Sequence, residues 1–199
     1  MSPYLHVIRE IVLNLKPTSQ SIVLDVGCGT GMVALALSPW VSKVHGLDIS
    51  PKMVERAQRN CVLCPNVSFS LGGIADLTGQ PDEYDRILAY SVLQYLESEE
   101  AVFQAFQSLK KVMRPGGRAL YSGNPDPAKK AIYLDRIIDK NMSESERDYA
   151  VQIVERTLWV SPQRMIKIAK ETGLAAKCKE IGAGIWQHFY MFDLVLWHG

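Results

Sequence analysis

Residues 23–31 read Val23-Leu24-Asp25-Val26-Gly27-Cys28-Gly29-Thr30-Gly31, an apolar run that contains an acid and ends in three alternating glycines. Glycine adopts positive φ without strain and lets a ligand approach the backbone closely. Such glycines between an apolar strand and an apolar helix are typical of nucleotide-type sites at the carboxyl edge of a parallel sheet. The dinucleotide pattern G-x-G-x-x-G is excluded, because its third glycine would fall on Met32.

Outward from this stretch, apolar strand-like segments alternate with amphipathic ones. The helix after the glycines is predicted to end at Pro39, and Ser50-Pro51 has the composition of a helix start. Arg114-Pro115-Gly116-Gly117 is predicted to form a turn. The alternation predicts an α/β fold with a doubly wound parallel sheet. The predicted strands cover 22–26, 41–48, 67–71, 84–91 and 118–122, followed by 176–181 and 189–197.

Composition and charge narrow the class of protein. A chain of 199 residues suits a single domain over 1–199, and its formal net charge of +1 gives no field that would recruit nucleic acid or a membrane. No apolar run approaches the roughly 20 residues that cross a bilayer, so we expect a cytoplasmic protein. Cys61-x-x-Cys64 lacks the two further ligands of a zinc site, and no metal is predicted.

Four motifs follow one another along the chain: the glycine motif, an acid at Asp48, the segment 84–96, and the Arg-Pro-Gly-Gly turn. In this order and spacing they resemble the class I S-adenosylmethionine (SAM) dependent methyltransferases, most closely the small-molecule branch. The resemblance implies SAM as cofactor and a small-molecule methyl acceptor as partner. It also implies a seven-stranded, mostly parallel sheet whose last strand is antiparallel.

The resemblance assigns the methionyl part of SAM to the glycine loop. Gly27, Cys28, Gly29 and Gly31 would pass beneath it, and the following helix would offer N–H groups to its carboxylate. Asp25 would act near its amino group. The alternative that stays open is that the Asp25 carboxylate accepts backbone N–H groups of the loop itself.

The adenosine part is assigned to the end of the second predicted strand. The carboxylate of Asp48 would accept hydrogen bonds from the two ribose hydroxyls, and Ile49 would press on one face of the adenine. An acid in this position could instead cap the next helix, but Ser50 is predicted to fill that role. Asp48 is therefore the residue most strongly tied to cofactor binding.

The chain departs from the family pattern after the third predicted strand. Gly73 occupies the position where the family usually has an acid that receives the adenine amino group. Ile74 could donate its backbone N–H to the ring and pack on it. Asp76 could replace the missing acid, although an exposed loop acid is the simpler interpretation.

Residues near the fourth predicted strand and the C-terminus are assigned to the methyl end. The backbone of Ala89, Tyr90 and Ser91 would meet the methionyl amino group. Tyr95 falls where many family members carry an aromatic residue near the transferred methyl, although it could simply pack. His188 is the one histidine we consider as a general base, and a structural role is its alternative.

Residues 124–160 interrupt the strand–helix alternation, and we expect them to form a helical lid over the acceptor. Asn124-Pro125-Asp126-Pro127 would be the turn about which this lid pivots. The favoured function is methyl transfer from SAM to a small molecule. The rival is a SAM-binding structural or regulatory subunit without activity, and a protein or nucleic-acid methyltransferase is a weaker third hypothesis.

Overall fold

The computed structural model describes residues 3–74, 77, 83–139 and 141–199. Short 3₁₀ turns lie at Ser38–Trp40, Leu93–Tyr95, Pro127–Lys129 and Trp186–Phe189. The strands are β1 (Ile22–Val26), β2 (Lys43–Asp48), β3 (Val67–Leu71), β4 (Tyr84–Tyr90), β5 (Met113–Pro125), β6 (Leu174–Glu180) and β7 (Met191–His198). The helices are α1 (Pro3–Leu15), α2 (Met32–Leu37), α3 (Pro51–Asn60), α4 (Glu99–Val112), α5 (Lys130–Ile137), α6 (Glu144–Arg156) and α7 (Pro162–Glu171).

One seven-stranded sheet organises the chain, in the order β3-β2-β1-β4-β5-β7-β6. The five strands from β3 to β5 are parallel, and β7 runs antiparallel to both β5 and β6. The predicted doubly wound sheet with an antiparallel last strand is therefore confirmed. The strand order reverses between β1 and β4, which is where folds of this kind bind ligands at the carboxyl edge.

The sheet is covered on both faces, as its continuous apolar strands require. Successive residues of a strand point to opposite faces, so Val23 and Leu24 enter different cores. Val23 packs with Ile11 of α1 and Leu37 of α2. Leu24 belongs to the core on the other face, together with Phe106 of α4 and apolar side chains of α7. The two layers of helices fix the sheet edge on which the glycine loop lies.

Several strand boundaries differ from those predicted. The second strand begins at Lys43 rather than at 41, because residues 38–40 form a 3₁₀ turn before it. The fourth ends at Tyr90, since Ser91 has a positive φ of 56° and leaves the extended conformation. The last two strands are displaced by about two residues, because pairing of β7 with both neighbours decides their ends.

The predicted Arg-Pro-Gly-Gly turn is wrong in detail. Residues 114–117 lie inside β5, which starts at Met113 and is longer than the predicted 118–122. The pairing register with β4 shifts between Tyr84 and Arg86, and Gly116 adopts a φ of 75°. The glycines therefore form an irregularity within a strand, which long-range pairing with β4 and β7 keeps extended.

The segment after β5 also begins later than predicted. Asn124 and Pro125 are the last residues of β5, and buried Asn124 donates hydrogen bonds to the carbonyls of Tyr121 and Phe192 at 2.7 and 3.1 Å. These contacts hold Asn124 in the sheet, and the pivot of the predicted lid stays a prediction. The inserted helices α5 and α6 start beyond Asp126, whose carboxylate caps the following 3₁₀ turn.

None of the helices in the described part of the chain has the length and apolar character needed to cross a bilayer. Among the same residues, no group of three or more His, Cys, Asp or Glu side chains is arranged to hold a metal ion. All four cysteines are free thiols, Cys61 and Cys64 included.

Candidate functional site

The glycine loop joins β1 to α2 at the carboxyl edge of the sheet. Gly27, Gly29 and Gly31 all have positive φ, at 69°, 54° and 76°. The N–H groups of Gly27 and Cys28 donate to the Leu47 carbonyl of the neighbouring strand at 2.7 and 2.9 Å. The loop is therefore held by β2, and its conformation is one that glycine adopts without strain.

Asp48 ends β2 and is bound to the glycine loop. Its Oδ2 accepts the Gly29 N–H at 2.9 Å, and its Oδ1 accepts the Ser50 N–H at 2.9 Å. Each carboxylate oxygen can accept a further hydrogen bond, so two hydroxyl donors could be accommodated. Ser50 occupies the N-cap position of α3, but its side chain makes no capping hydrogen bond, so the capping role predicted for it is wrong.

Asp25 has an unusual environment for a carboxylate. It is 2% exposed, and its Oδ2 has no hydrogen-bond partner among the described residues. Burial, and then the charge of Asp48, raise its pKa to about 7. The loop N–H groups of Gly27, Cys28 and Gly29 are taken by Leu47 and Asp48, so the alternative in which Asp25 caps them is not observed.

A cavity of about 490 Å³ opens between the ends of β1, β2 and β4. It contains much of the predicted cofactor site, because parallel strands bring their carboxyl ends to one edge. Its walls include the predicted residues Gly27, Asp48, Ile49, Gly73, Ile74, Tyr90, Ser91 and Tyr95. Its other wall residues, which the sequence analysis missed, are Val26, Gly72, Val92 and Leu96.

The remaining predicted cofactor residues lie outside the walls of this cavity. Gly29 and Gly31 belong to the loop, Cys28 is buried beneath it with Asp25, and Ala89 is 2% exposed in the core. Their predicted contacts with a cofactor remain predictions. Each lies within four residues of a cavity wall residue along its strand or loop.

Gly73 and Ile49 lie close together at the cavity wall. A Cβ atom on Gly73 would lie 3.2 Å from Cγ2 of Ile49, so a side chain at this position would require a small shift of Ile49. Ile49 is 78% exposed, and its predicted contact with the adenine stays a prediction. Asp76, the suggested substitute acid, lies outside the described residues.

At the other end, Ser91 has a strained backbone that long-range contacts hold in place. Its N–H donates to the Ser122 carbonyl at 2.7 Å, and its φ is 56°. Buried Asp193 accepts hydrogen bonds from the Ser122 hydroxyl at 2.7 Å and from the Gly123 N–H at 3.4 Å. Burial raises the pKa of Asp193 to about 6, although these two hydrogen bonds lower it. Sequence reasoning did not find Asp193, since no local pattern marks a buried acid in a C-terminal strand.

The two candidate catalytic residues have different surroundings. Tyr95 lies on a 3₁₀ turn at the cavity wall and is 77% exposed, so the alternative that it simply packs is wrong. His188 does not line this cavity. Its Nδ1 lies 2.8 Å from the Ile185 carbonyl, which fixes the imidazole against its own turn.

Tyr4 of α1 is a further residue that the sequence analysis missed. Its hydroxyl donates to the Met32 carbonyl at the start of α2. Its pKa is raised by burial and by the nearby charges of Asp25 and Cys61. The first helix therefore covers the side of the glycine loop where Asp25 is buried.

Fold and cavity together define a doubly wound α/β protein with a nucleotide-type site at its strand switch point. The family model for the "Methyltransferase domain" matches residues 23–117, which span the glycine loop, Asp48 and the cavity walls. Over residues 23–117 the chain therefore has the methyltransferase domain of the class I SAM-dependent enzymes. The family predicted from the sequence motifs is thus confirmed.

Individual relatives are distant. A ubiquinone biosynthesis O-methyltransferase of Xanthomonas euvesicatoria is 26% identical over 149 residues, which are 68% of this chain and 61% of that protein. The chain spans 40% to 61% of the length of the first curated relatives that it matches.

Solved structures show the same fold. A magnesium protoporphyrin IX methyltransferase from Synechocystis, with bound SAH, gives a TM-score of 0.70 at 22% identity, with 99% of this chain and 83% of that chain covered. A geranyl diphosphate methyltransferase in complex with GPP and sinefungin gives 0.69 at 13% identity, with 96% and 76% covered. At these identities the likeness supports the fold alone.

Proposed function

We propose that this protein binds SAM in the cavity beside the glycine loop and transfers its methyl group to a small-molecule acceptor. The observation that carries the proposal is the position of Asp48. This residue lies in the cavity wall, and its carboxylate accepts hydrogen bonds from the N–H groups of Gly29 and Ser50. This arrangement leaves acceptor capacity for the two ribose hydroxyls. Ile49 and Gly73 would bound the adenine on the same side.

Asp25 supports the same assignment from the buried side of the loop. An unpartnered carboxylate oxygen is costly in a protein interior and calls for a donor that is not part of the chain. The ammonium group of the methionyl part is such a donor, and pairing with it would favour the ionised carboxylate. The residues present therefore fit SAM.

The chemistry requires little from the protein beyond geometry. When bound, SAM supplies an activated methyl group, whose carbon–sulfur bond breaks toward sulfur as the acceptor's lone pair attacks the carbon. The protein's task is then to align the acceptor and exclude water. Tyr95 lies at the cavity wall, where its hydroxyl could orient a polar acceptor atom and relay the proton that this atom releases to solvent.

The net charge of the chain and the names of its relatives both favour a small molecule as the methyl acceptor. Net charge is +1, too small to attract a nucleic acid. The relatives are named for ubiquinone biosynthesis, magnesium protoporphyrin IX and geranyl diphosphate. We propose that the acceptor binds on the side covered by residues 126–160, where the Leu158 N–H donates to the Gln94 carbonyl at 2.9 Å, next to Tyr95.

Titration calorimetry tests cofactor choice directly. We expect SAM and its demethylated product to bind and NAD to show no binding, because Met32 replaces the third glycine of a dinucleotide loop. Transfer of a labelled methyl group to a metabolite extract then separates the enzyme from a non-catalytic SAM-binding subunit. Preference for NAD would contradict the cofactor assignment, and SAM binding without any labelled product would favour the subunit.

Asp48→Ala is expected to weaken SAM binding by about 1.5–3 kcal/mol, roughly 10- to 150-fold, because hydrogen bonds to a charged group are lost. Ser50→Ala is the matched control, since the Ser50 side chain makes no capping hydrogen bond. We expect the control to bind SAM like the parent. Equal SAM affinity in Asp48→Ala and the parent, measured by calorimetry, would remove the ribose assignment.

A further inference from the structure

An aromatic cluster lies beyond the Tyr95 end of the cavity. It consists of Tyr133, Trp159, Trp186, Phe189 and Tyr190. Tyr133 lies in α5, Trp159 lies between α6 and α7, and the other three lie in the turn before β7. The rings of Tyr133 and Tyr190 stack with centroids 4.2 Å apart. Three separated pieces of chain thus meet through aromatic rings.

The aromatic cluster borders the cofactor cavity. Burial raises the pKa of Tyr190, and so do the phenols of Tyr133, Tyr90 and Tyr95. Tyr90 and Tyr95 are cavity wall residues. The Leu158 N–H, next to Trp159 along the chain, donates to the carbonyl of Gln94, next to Tyr95, at 2.9 Å.

Much of this aromatic surface is left in water. Trp186 of the aromatic cluster is 59% exposed, and Tyr95 at the cavity wall is 77% exposed. Exposed aromatic rings beside a cavity are typical of ligand sites, where a bound ring takes the place of water. Flat apolar ligands suit such a surface, because rings prefer offset-stacked or edge-to-face contacts.

Two cations lie on the faces of these rings. The Arg136 guanidinium is 4.1 Å from the ring centroid of Phe189, and the Lys130 ammonium is 5.9 Å from that of Trp159. Among the described residues, neither has a carboxylate within 4.0 Å. A ring face leaves the edge N–H donors of a guanidinium available, and these donors match a carboxylate.

We propose that the methyl acceptor is a flat aromatic molecule carrying a carboxylate, whose ring stacks on the aromatic cluster and whose carboxylate pairs with Arg136. This inference rests on the proposed function, because it names the acceptor class for the same site. An aromatic ring and a carboxylate are the two features that the cluster and its cations select together. A neutral aromatic or a saturated acid would satisfy only one of them.

Three probes of similar size separate the two features. They are 4-hydroxybenzoate, its uncharged amide 4-hydroxybenzamide, and the saturated 4-hydroxycyclohexanecarboxylate, each titrated by calorimetry into protein saturated with the demethylated product of SAM. We expect 4-hydroxybenzoate to bind about tenfold or more tighter than either of the others, since it alone uses both ring and charge. This comparison needs no mutation, so a folding defect cannot obscure it.

Variants assign the two contacts. Arg136→Gln is expected to weaken 4-hydroxybenzoate about tenfold and to leave 4-hydroxybenzamide unchanged, while Trp186→Leu should weaken both aromatic probes. Arg156→Gln, a substitution at an exposed position of α6 in the same insertion, is the control and should change none of them. The proposal is overturned if no probe binds, if the amide or the saturated acid binds as tightly as 4-hydroxybenzoate, or if Arg136→Gln has no effect. Binding of the SAM product in the parent and in every variant is measured separately, so failure of the acceptor proposal is distinct from failure of the proposed function.

Discussion

Asp25→Asn is expected to stabilise the ligand-free protein at pH 8 and to weaken its binding of SAM. The folded protein raises the pKa of Asp25 from an ordinary 3.8 to about 7, because burial and the charge of Asp48 disfavour the ionised form. The unfolded chain therefore releases this proton at lower pH than the folded protein does. The stability that the protonated Asp25 side chain contributes at pH 4 is lost as the pH rises toward 7.

The size of this effect follows from the pKa difference. Each pKa unit corresponds to about 1.4 kcal/mol, so the charge on Asp25 costs the ligand-free protein on the order of 4 kcal/mol at pH 8. Asparagine has nearly the same shape and no charge, and it removes this cost. It also removes the partner proposed for the methionyl ammonium, so SAM affinity should fall by about 10- to 150-fold.

Urea unfolding at pH 5 and pH 8 measures the prediction. The parent should lose stability between the two pH values, and Asp25→Asn should lose much less. Asp85→Asn is the control, because Asp85 accepts the Ile22 N–H at 2.6 Å and the Ser21 hydroxyl at 3.0 Å and is a structural carboxylate. That control should be destabilised at both pH values and still bind SAM. An Asp25→Asn variant with the parent's pH dependence would show that Asp25 does not titrate as described.

Gly31→Ala is expected to destabilise the protein by about 2–5 kcal/mol, whereas Gly29→Ala should cost about 1–2 kcal/mol. Both glycines have positive φ, which a Cβ atom makes unfavourable by about 1–2 kcal/mol. Only at Gly31 would the Cβ also meet packed atoms, 2.9 Å from Cζ of Phe69 and 3.2 Å from the backbone Cα of Ala57. Overpacking of this kind typically adds about 1–3 kcal/mol.

The pair of variants separates the two causes. Gly29 has no atom within 4 Å of its would-be Cβ, so its substitution reports the cost of positive φ alone. The difference in unfolding free energy between the variants therefore measures the packing of α2 against α3 and β3. Equal losses in the two variants would show that Phe69 and Ala57 move aside and that the loop is held by its backbone alone.

Much of the site could be predicted from the sequence because its signals are local. The glycine motif, Asp48 at the end of an apolar strand and the alternation of strands and helices each follow from a few neighbouring residues. Parallel strands then bring their carboxyl ends to one edge, so Gly27, Asp48, Gly73, Tyr90 and Tyr95 meet at one cavity. The sequence by itself therefore determined the fold class and the sheet edge at which the cavity lies.

Only the tertiary structure decided the features that depend on distant partners. Residues 114–117 read as a turn, yet pairing with β4 and β7 keeps them in β5. Asp25 could have capped the glycine loop, but the loop N–H groups donate to Leu47 and Asp48 instead. The Asp25 carboxylate is buried, and one of its oxygens has no hydrogen-bond partner among the described residues. The aromatic cluster is assembled from residues up to 57 positions apart, Tyr133 and Tyr190. Local patterns carry no information on such contacts, because it is the packing of whole elements against the sheet that brings these side chains together.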